Sequence, residues 1–148
     1  MDKNARILVI DDDVNIRKSL EAILSAEGYN VDLAKNGKEA IKKSESTVYN
    51  VALIDIRLPD MDGVELLIRV KDSVPKMRKI IITGYPSVQN AIEAVNRKAD
   101  AYLVKPVDVK KLLITIETQL ELQKMEKAYS EEKVVEFIET RVKEINSI

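Results

Sequence analysis

Acidic residues, a hydroxyl and a lysine stand in this sequence at the points where short apolar runs end. They are Asp11, Asp12, Asp55, Thr83 and Lys105. Neighbouring carboxylates repel one another, and they are tolerated where a divalent cation or a lysine neutralises them. Mg²⁺ favours one or two carboxylates together with water and phosphate oxygens. These residue types therefore indicate a divalent cation site, provided that the fold brings the side chains together.

Five apolar runs of strand length alternate along the chain with segments of helical spacing. The predicted strands are Ile7–Ile10, Val31–Ala34, Val51–Ile56, Ile80–Thr83 and Ala101–Val104. The apolar stripes that mark the helices are Ile16–Leu24, Ala40–Ile41, Val64–Val70, Val88–Ala99 and Leu113–Leu120. This repeat predicts an α/β fold, with a doubly wound, five-stranded parallel sheet of strand order 2-1-3-4-5 in the flavodoxin-like class.

The predicted sheet explains why the polar residues follow the strands. In an open parallel sheet, ligands bind in the crevice outside the carboxyl ends of the strands. Each of the five polar residues lies at or just past such an end, so folding should bring them to one edge of the sheet.

The last part of the sequence has a different character. From about Lys124 onward it contains no strand pattern, no Gly and no Pro. We therefore divide the chain into a domain at 1–124 and a helical tail or linker at 125–148. Ser130, which two glutamates follow, is typical of a helix N-cap, and the stripe Val135–Ile145 leaves the heptad register of the preceding helix. A break or bend is predicted near Tyr129, and the stripe is equally compatible with packing back on its own domain and with pairing to another chain.

The composition excludes several classes of function. The 24 basic and 25 acidic side chains give a net charge of -1, which does not favour a nucleic-acid or membrane surface. The absence of Cys and His excludes disulfides, thiolate catalysis and a phosphohistidine on this chain. The first apolar run is too short for a signal sequence or a membrane span. We expect a cytoplasmic protein without direct contact to nucleic acid or membrane.

Four stretches, in their order and spacing, resemble the receiver domain of bacterial and archaeal two-component response regulators. They are "VIDDD", "LIDIRLPDMDG", "ITGYPS" and "LVKP", and the resemblance extends from about Arg6 to Gln123. It implies that 1–124 is a receiver domain and that Asp55 accepts a phosphoryl group from a sensor histidine kinase in a Mg²⁺-dependent reaction. The implied Mg²⁺ ligands are Asp11, Asp12, Asp55 and the backbone carbonyl of Arg57.

The resemblance also implies a set of residues around the phosphoryl group. Thr83 and Lys105 would contact it, Thr83 and Tyr102 would form a conformational switch, and the Lys105–Pro106 peptide bond would be cis. The switch would alter the face made by the fourth helix, the fifth strand and the fifth helix. The sequence is compatible with a homodimer through that face or through the C-terminal helix, and it does not determine the oligomeric state.

Two large residues, Arg57 and Tyr85, hold the positions that flank the in-line path of water to the phosphorus in this family. We expect them to shield the phosphoaspartate and lengthen its lifetime. Other residues have ordinary structural explanations. Asp13 is expected to cap the first helix, and Asp60 and Asp62 are expected to be loop and cap residues rather than ligands.

The leading hypothesis is a phosphorylation-dependent signalling module, which is not an enzyme beyond its own phosphotransfer and dephosphorylation. A Mg²⁺-dependent aspartyl phosphohydrolase of the haloacid dehalogenase type would need a second Asp where Arg57 stands. A pseudo-receiver is disfavoured because Asp55, Thr83 and Lys105 are all present, and no G-x-G-x-x-G or P-loop indicates nucleotide binding. The domain stands alone or forms the front end of a longer transcription regulator, and its downstream effector is not identified by the sequence.

Overall fold

The sheet is five-stranded and entirely parallel. The computed structural model describes residues 4–71, 73 and 75–147, so the ends of the predicted domain and tail, 1–3 and 148, lie outside the described residues. The strands are β1 (Arg6–Ile10), β2 (Asn30–Ala34), β3 (Val51–Asp55), β4 (Arg78–Thr83) and β5 (Ala101–Val104). Their spatial order is β2-β1-β3-β4-β5, which confirms the predicted topology.

Five helices alternate with the strands. They are α1 (Val14–Ala26), α2 (Gly37–Ser46), α3 (Gly63–Arg69), α4 (Val88–Asn96) and α5 (Val109–Asn146). Each helix begins after a side chain that accepts a hydrogen bond from an amide of the first turn, and these caps are Asp13, Asn36, Asp62, Ser87 and Asp108. The capping roles expected for Asp13 and Asp62 are confirmed.

Strand β3 lies at the centre of the sheet, and each of its five residues is buried. Apolar side chains cover both faces of the sheet, as parallel strands require. One core cluster includes Ile54 with Leu66 of α3, and the other includes Leu53 with Leu112 of α5. Because Ile10 of β1 pairs with Ile54, the residue that follows β1 lies beside the end of β3.

Helix α4 does not bury the apolar stripe that marks it in the sequence. Val88, Ile92 and Val95 are 78%, 55% and 70% exposed, whereas Ala94 is buried. The helix contacts the body of the domain through this small residue, so its larger apolar side chains face solvent. The spacing predicted the helix correctly, but it did not identify the buried face.

Helix α5 continues without interruption through Tyr129, so the predicted break is wrong and Ser130 is not an N-cap. The prediction counted heptads, but a straight α-helix has about 3.6 residues per turn, and about five turns separate Leu120 from Ile138. The two side chains therefore lie on the same face, and no Gly or Pro stops the helix. The side chains from Lys124 to Ser147 are exposed, so packing of this segment back on the domain is not observed among them.

Gln123 attaches α5 to the amino end of the sheet, and the sequence did not predict this. Its side chain is buried, and Nε2 donates to the carbonyl oxygens of Asn50 at 3.0 Å and Lys76 at 2.8 Å. Its Oε1 accepts a hydrogen bond from the side-chain amide of Asn50 at 3.0 Å. Arg78 adds an ion pair with Glu126 at 3.0 Å. These contacts fix the direction in which α5 leaves the domain.

We predict that Gln123→Ala lowers the free energy of unfolding by about 2 kcal/mol, because it removes the donor to the Lys76 carbonyl oxygen and the acceptor of the Asn50 side-chain amide, both partly buried. Equilibrium urea denaturation measures the loss. Glu121→Ala, at an exposed position of the same helix, is the control and should stay within about 0.5 kcal/mol of wild type. Equal stability of wild type and Gln123→Ala would show that the contacts are not stabilising.

Candidate functional site

Three carboxylates converge at the carboxyl edge of the sheet. Asp11 and Asp12 follow β1, and Asp55 is the last residue of β3. One oxygen from each carboxylate lies within 4.8 Å of those of the other two. Asp11 and Asp55 are 4% and 7% exposed, whereas Asp12 faces solvent. The edge therefore presents two buried acids and one exposed acid, all directed to the same point.

Lys105 reaches into this acid cluster from the end of β5. Its Nζ donates to Oδ2 of Asp11 at 2.7 Å and lies 3.4 Å from Oδ2 of Asp55. Burial by itself would lower the pKa of Lys105, but the hydrogen bond and charge of Asp11, followed by the charge of Asp55, raise it overall. The lysine therefore remains charged. The Lys105–Pro106 peptide bond is cis, the isomer that the resemblance implies.

The pKa of the Asp55 carboxyl is raised above its ordinary value. The causes are burial first and the charge of Asp11 second, and they outweigh Lys105 and the backbone amide of Arg57, which lies 3.3 Å from Oδ1 of Asp55. Lys105 thus neutralises the cluster only in part. A further cation at this point would relieve the remaining repulsion.

The orientation of Asp11 is fixed by neighbouring groups. Its Oδ1 accepts a hydrogen bond from the backbone amide of Asp13 at 3.0 Å, while Asp13 itself caps α1. The guanidinium of Arg17, one turn into α1, donates to the backbone carbonyl of Asp11 at 2.6 Å. The sequence analysis missed Arg17, although its spacing from the acids places it on the first turn of the adjoining helix. These contacts couple the acid pair to α1.

Thr83 lies at the end of β4, fully buried between the ends of β3 and β5. Its hydroxyl oxygen accepts a hydrogen bond from the backbone amide of Tyr85 at 2.9 Å. A Cβ at the intervening Gly84 would come no closer than 3.7 Å to the Lys105 side chain, so this position lies against the lysine without crowding it.

Tyr102 of β5 packs, half-buried, against the core cluster that contains Ile54. Its hydroxyl is buried and has no hydrogen-bond partner among the described residues. An unpaired buried hydroxyl is destabilising. The Tyr102 ring therefore lies where its hydroxyl makes no hydrogen bond with the described residues.

Arg57 and Tyr85 contact each other in the wall of the cleft. The guanidinium carbon of Arg57 lies 3.7 Å from the centre of the Tyr85 ring, which is the geometry of a cation–π contact. Both side chains are exposed, and both line the same cleft as Asp11, Asp55 and Lys105. The contact therefore joins two exposed side chains in the wall of the cleft that holds the acid cluster.

The chain belongs to the response regulator receiver domain family, whose family model matches residues 7–117. Fold and site thus agree on the class of protein: it is the receiver domain of a response regulator. Within the described residues, no helix combines the length and the apolar character needed to span a membrane.

Two relatives of similar sequence are regulatory proteins that are longer than this chain. The transcriptional regulatory protein ZraR of Klebsiella oxytoca is 42% identical over 114 residues, which cover 77% of this chain and 26% of ZraR. The regulatory protein AtoC of Escherichia coli K12 is 34% identical over 122 residues, which cover 82% of this chain and 26% of AtoC. The chain therefore spans about a quarter of the length of these relatives.

Receiver domains are among the solved structures with the same fold. A CheY-like receiver domain protein from Methanospirillum hungatei JF-1 superposes with a TM-score of 0.77 at 42% identity, over 83% of this chain and 98% of that one. The beryllofluoride-activated NtrC4 receiver domain dimer gives a TM-score of 0.74 at 40% identity, over 80% and 98% of the two chains. The family model ends at residue 117, so the extension of α5 lies beyond its match.

We predict that Asp55→Asn raises the melting temperature in EDTA at pH 7 by a few degrees, since about 1 kcal/mol corresponds to about 3 °C in a chain of this size. The pKa of Asp55 is raised by burial and by Asp11, so its ionisation destabilises the fold as the pH rises through that pKa. Below the unfolded-state pKa, about 3.9, the penalty disappears.

The gain from Asp55→Asn should accordingly shrink as the pH is lowered toward about 4. Thermal melts in EDTA across this pH range measure it, with the exposed Glu121→Gln as the control for removing a charge. An Asp55→Asn protein that melts below wild type at pH 7 would contradict the electrostatic argument.

Proposed function

We propose that Asp55 accepts a phosphoryl group from a sensor histidine kinase and that Mg²⁺ binds beside it. One observation carries the proposal: oxygens of Asp11, Asp12 and Asp55 lie within 4.8 Å of one another, with the Lys105 ammonium bonded to the first of them. A structural role alone would not place three acids at one edge with only partial neutralisation.

The donor set fits Mg²⁺, which prefers oxygen ligands and keeps several waters. Asp11, Asp12 and Asp55 supply carboxylate oxygens, and the backbone carbonyl of Arg57 would complete the protein ligands. When bound, the cation would offset negative charge on the phosphoryl oxygens. The raised pKa of Asp55 supports this proposal, because it reflects burial first and repulsion from Asp11 second, and a cation bound beside the carboxylates would offset both.

The remaining chemistry would belong to residues of this chain. A carboxylate oxygen of Asp55 would form the bond to phosphorus as the bond from phosphorus to the donor's imidazole nitrogen breaks. Lys105, kept charged by its two acidic neighbours, would contact a phosphoryl oxygen and stabilise developing charge. The hydroxyl of Thr83 would donate a hydrogen bond to another.

The same arrangement argues against the competing hydrolase. Where a haloacid dehalogenase-type phosphatase needs a second Asp, this chain has Arg57, and its guanidinium lies on the Tyr85 ring. We therefore propose that the domain has no activity on free phosphate esters and that its chemistry is limited to gaining and losing its own phosphoryl group.

Phosphorylation would be transmitted by Thr83 and Tyr102. A hydrogen bond to the phosphoryl group would draw Thr83 toward the site, and the Tyr102 ring would turn into the space released. The surface that changes on phosphorylation, and that a partner would recognise, would be the face formed by α4, β5 and α5. Its exposed apolar side chains, which include Val88, Ile92 and Val104, support that assignment. A second copy of the chain would bind there or along the extension of α5, and the NtrC4 receiver is a dimer.

The similarity to transcriptional regulatory proteins, of which this chain spans about a quarter, supports a longer transcription regulator as the context of the domain. Residues 1–124 would then be the receiver, and 125–148 would be the tail or linker to an effector. We propose that nucleic acid, if bound, contacts other parts of such a protein, and that the domain works in the cytoplasm.

The phosphorylation site can be tested with acetyl phosphate and Mg²⁺ as the phosphoryl source. Wild type should gain the mass of one phosphoryl group by intact mass spectrometry, and Asp55→Asn should gain none. Asp13→Asn is a matched control that keeps the α1 cap, since Asn caps as well as Asp, and it should gain as much as wild type. Equal gain in wild type and Asp55→Asn would refute the assignment of the phosphoacceptor.

We also predict that Arg57→Ala/Tyr85→Ala shortens the lifetime of the phosphoaspartate, because it removes the two side chains that would shield it from water. A tenfold change requires only about 1.4 kcal/mol of barrier. Loss of the phosphoryl group in Mg²⁺ is followed by mass spectrometry after the donor is removed. Tyr129→Ala/Lys133→Ala is the matched control, because it removes another exposed cation–π pair, on α5, away from the site. A lifetime equal to or longer than that of wild type would disprove the shielding.

A further inference from the structure

The first turn of α2 binds a carboxylate from another part of the chain. Oδ1 of Asp60 accepts the backbone N–H of Gly37 at 2.9 Å, and Oδ2 accepts that of Lys38 at 2.8 Å. Asn36, the helix's own cap, accepts the N–H of Glu39 at 2.8 Å. The backbone amides of the first turn of α2 have no acceptor within the helix. They donate instead to two side chains, the local cap Asn36 and the distant Asp60. Asp60 is the distant one, because it lies in the loop that follows Asp55.

That loop is closed on itself. Arg57 and Asp62 form an isolated antiparallel bridge, and the amide of Gly63 donates to the carbonyl of Ile56 at 2.7 Å. Residues 57–62 therefore form a short loop whose two ends are joined, with Asp60 at its tip. A contact that fixes Asp60 at the tip of this closed loop therefore also restrains Arg57 at its base.

The tip lies directly on α2. The Met61 side chain packs so closely over Gly37 that a Cβ at that position would clash with it. Partial desolvation raises the pKa of the Asp60 carboxyl, but the hydrogen bonds from Gly37 and Lys38 outweigh it and leave the pKa below its ordinary value. The carboxylate is therefore held in its charged form at the positive end of the helix dipole.

We propose that Asp60 is a positioning residue: by binding the first turn of α2, it holds the loop that presents the Arg57 carbonyl to the cation and the Arg57 side chain to Tyr85. This role rests on the proposed Mg²⁺-dependent phosphorylation of Asp55. It differs from ordinary capping, because α2 already has a cap in Asn36, and it assigns to α2 a part in building the site.

The coupling must act in both directions. If the bonds from Asp60 to α2 favour Mg²⁺ binding by some factor, Mg²⁺ binding favours those bonds by the same factor. The amide of Lys38 reports on them, because its hydrogen bond is made to Asp60. Its hydrogen exchange should slow when the site is saturated with Mg²⁺.

The test compares Asp60→Ala, Asp60→Asn and Asn36→Ala with wild type. The chain has no Trp, so Mg²⁺ binding is followed by NMR titration of the amides of Arg57 and Gly84. We expect about tenfold weaker Mg²⁺ binding for Asp60→Ala, the lower end of the range for groups that orient a metal ligand. Asp60→Asn, which keeps one acceptor oxygen, should be intermediate.

Asn36→Ala is the matched control, since it removes a cap from the same helix turn and leaves the loop attached. Urea denaturation checks that Asn36→Ala and Asp60→Ala lose similar stability, and only Asp60→Ala should lose Mg²⁺ affinity. Equal Mg²⁺ affinity in wild type and Asp60→Ala, or equal losses in the two cap variants, would overturn the positioning role.

Two further results separate this role from the function on which it rests. If wild type itself shows no response to Mg²⁺, the proposed cation site is wrong, and the positioning role falls with it. If Asp60→Ala does not fold, hydrogen exchange in wild type decides. Exchange of the Lys38 amide that slows on Mg²⁺ saturation supports the role, and exchange that does not change rejects it.

Discussion

The arrangement of this domain depends on the interaction of two buried carboxylates with one lysine. Asp11 and Asp55 carry like charges at the edge of an apolar core and repel each other unless a cation lies nearby, and Lys105 supplies one at 2.7 Å from Asp11 and 3.4 Å from Asp55. The lysine reaches them from β5, past the end of β4, where Gly84 keeps the side-chain volume small. The interaction therefore requires the ends of β1, β3 and β5 to meet, which only the complete parallel sheet provides.

Much of this could be predicted from the sequence, because the determining signals are local. Buried parallel strands are nearly continuous aliphatic runs, and helix caps are single polar residues at fixed offsets. Strand ends could be located from these runs, and a parallel sheet places its strand ends together. The residue types at those ends indicated a cation site, while their individual roles came only from resemblance to receivers.

What the sequence did not reveal depends on tertiary contacts. Asp60 binds amides 23 and 22 residues away, and the side-chain amide of Asn50 binds Gln123 73 residues away. No local pattern distinguishes such partners from ordinary loop and surface residues. The buried face of α4 was not predicted for a related reason. Hydrophobic spacing identifies a helix, but it does not show which face of the helix packs against a neighbour. The continuity of α5 was missed because a heptad count drifts from the true pitch of a helix.

The burial of β3 limits how a change at Asp55 can spread through the domain. Strand β3 is buried along its whole length, so a close-packed core cannot absorb a rearrangement within it. On the proposed function, movement would occur at Thr83 and Tyr102 and in the loops after β3 and β4, which carry the exposed Arg57 and Tyr85. The first of these loops is attached to α2 through Asp60, and the second leads into α4. If Asp55 is phosphorylated as we propose, the change would spread along two routes, one through each loop, and the strength of the contact between Asp60 and α2 would determine how much of it reaches α2.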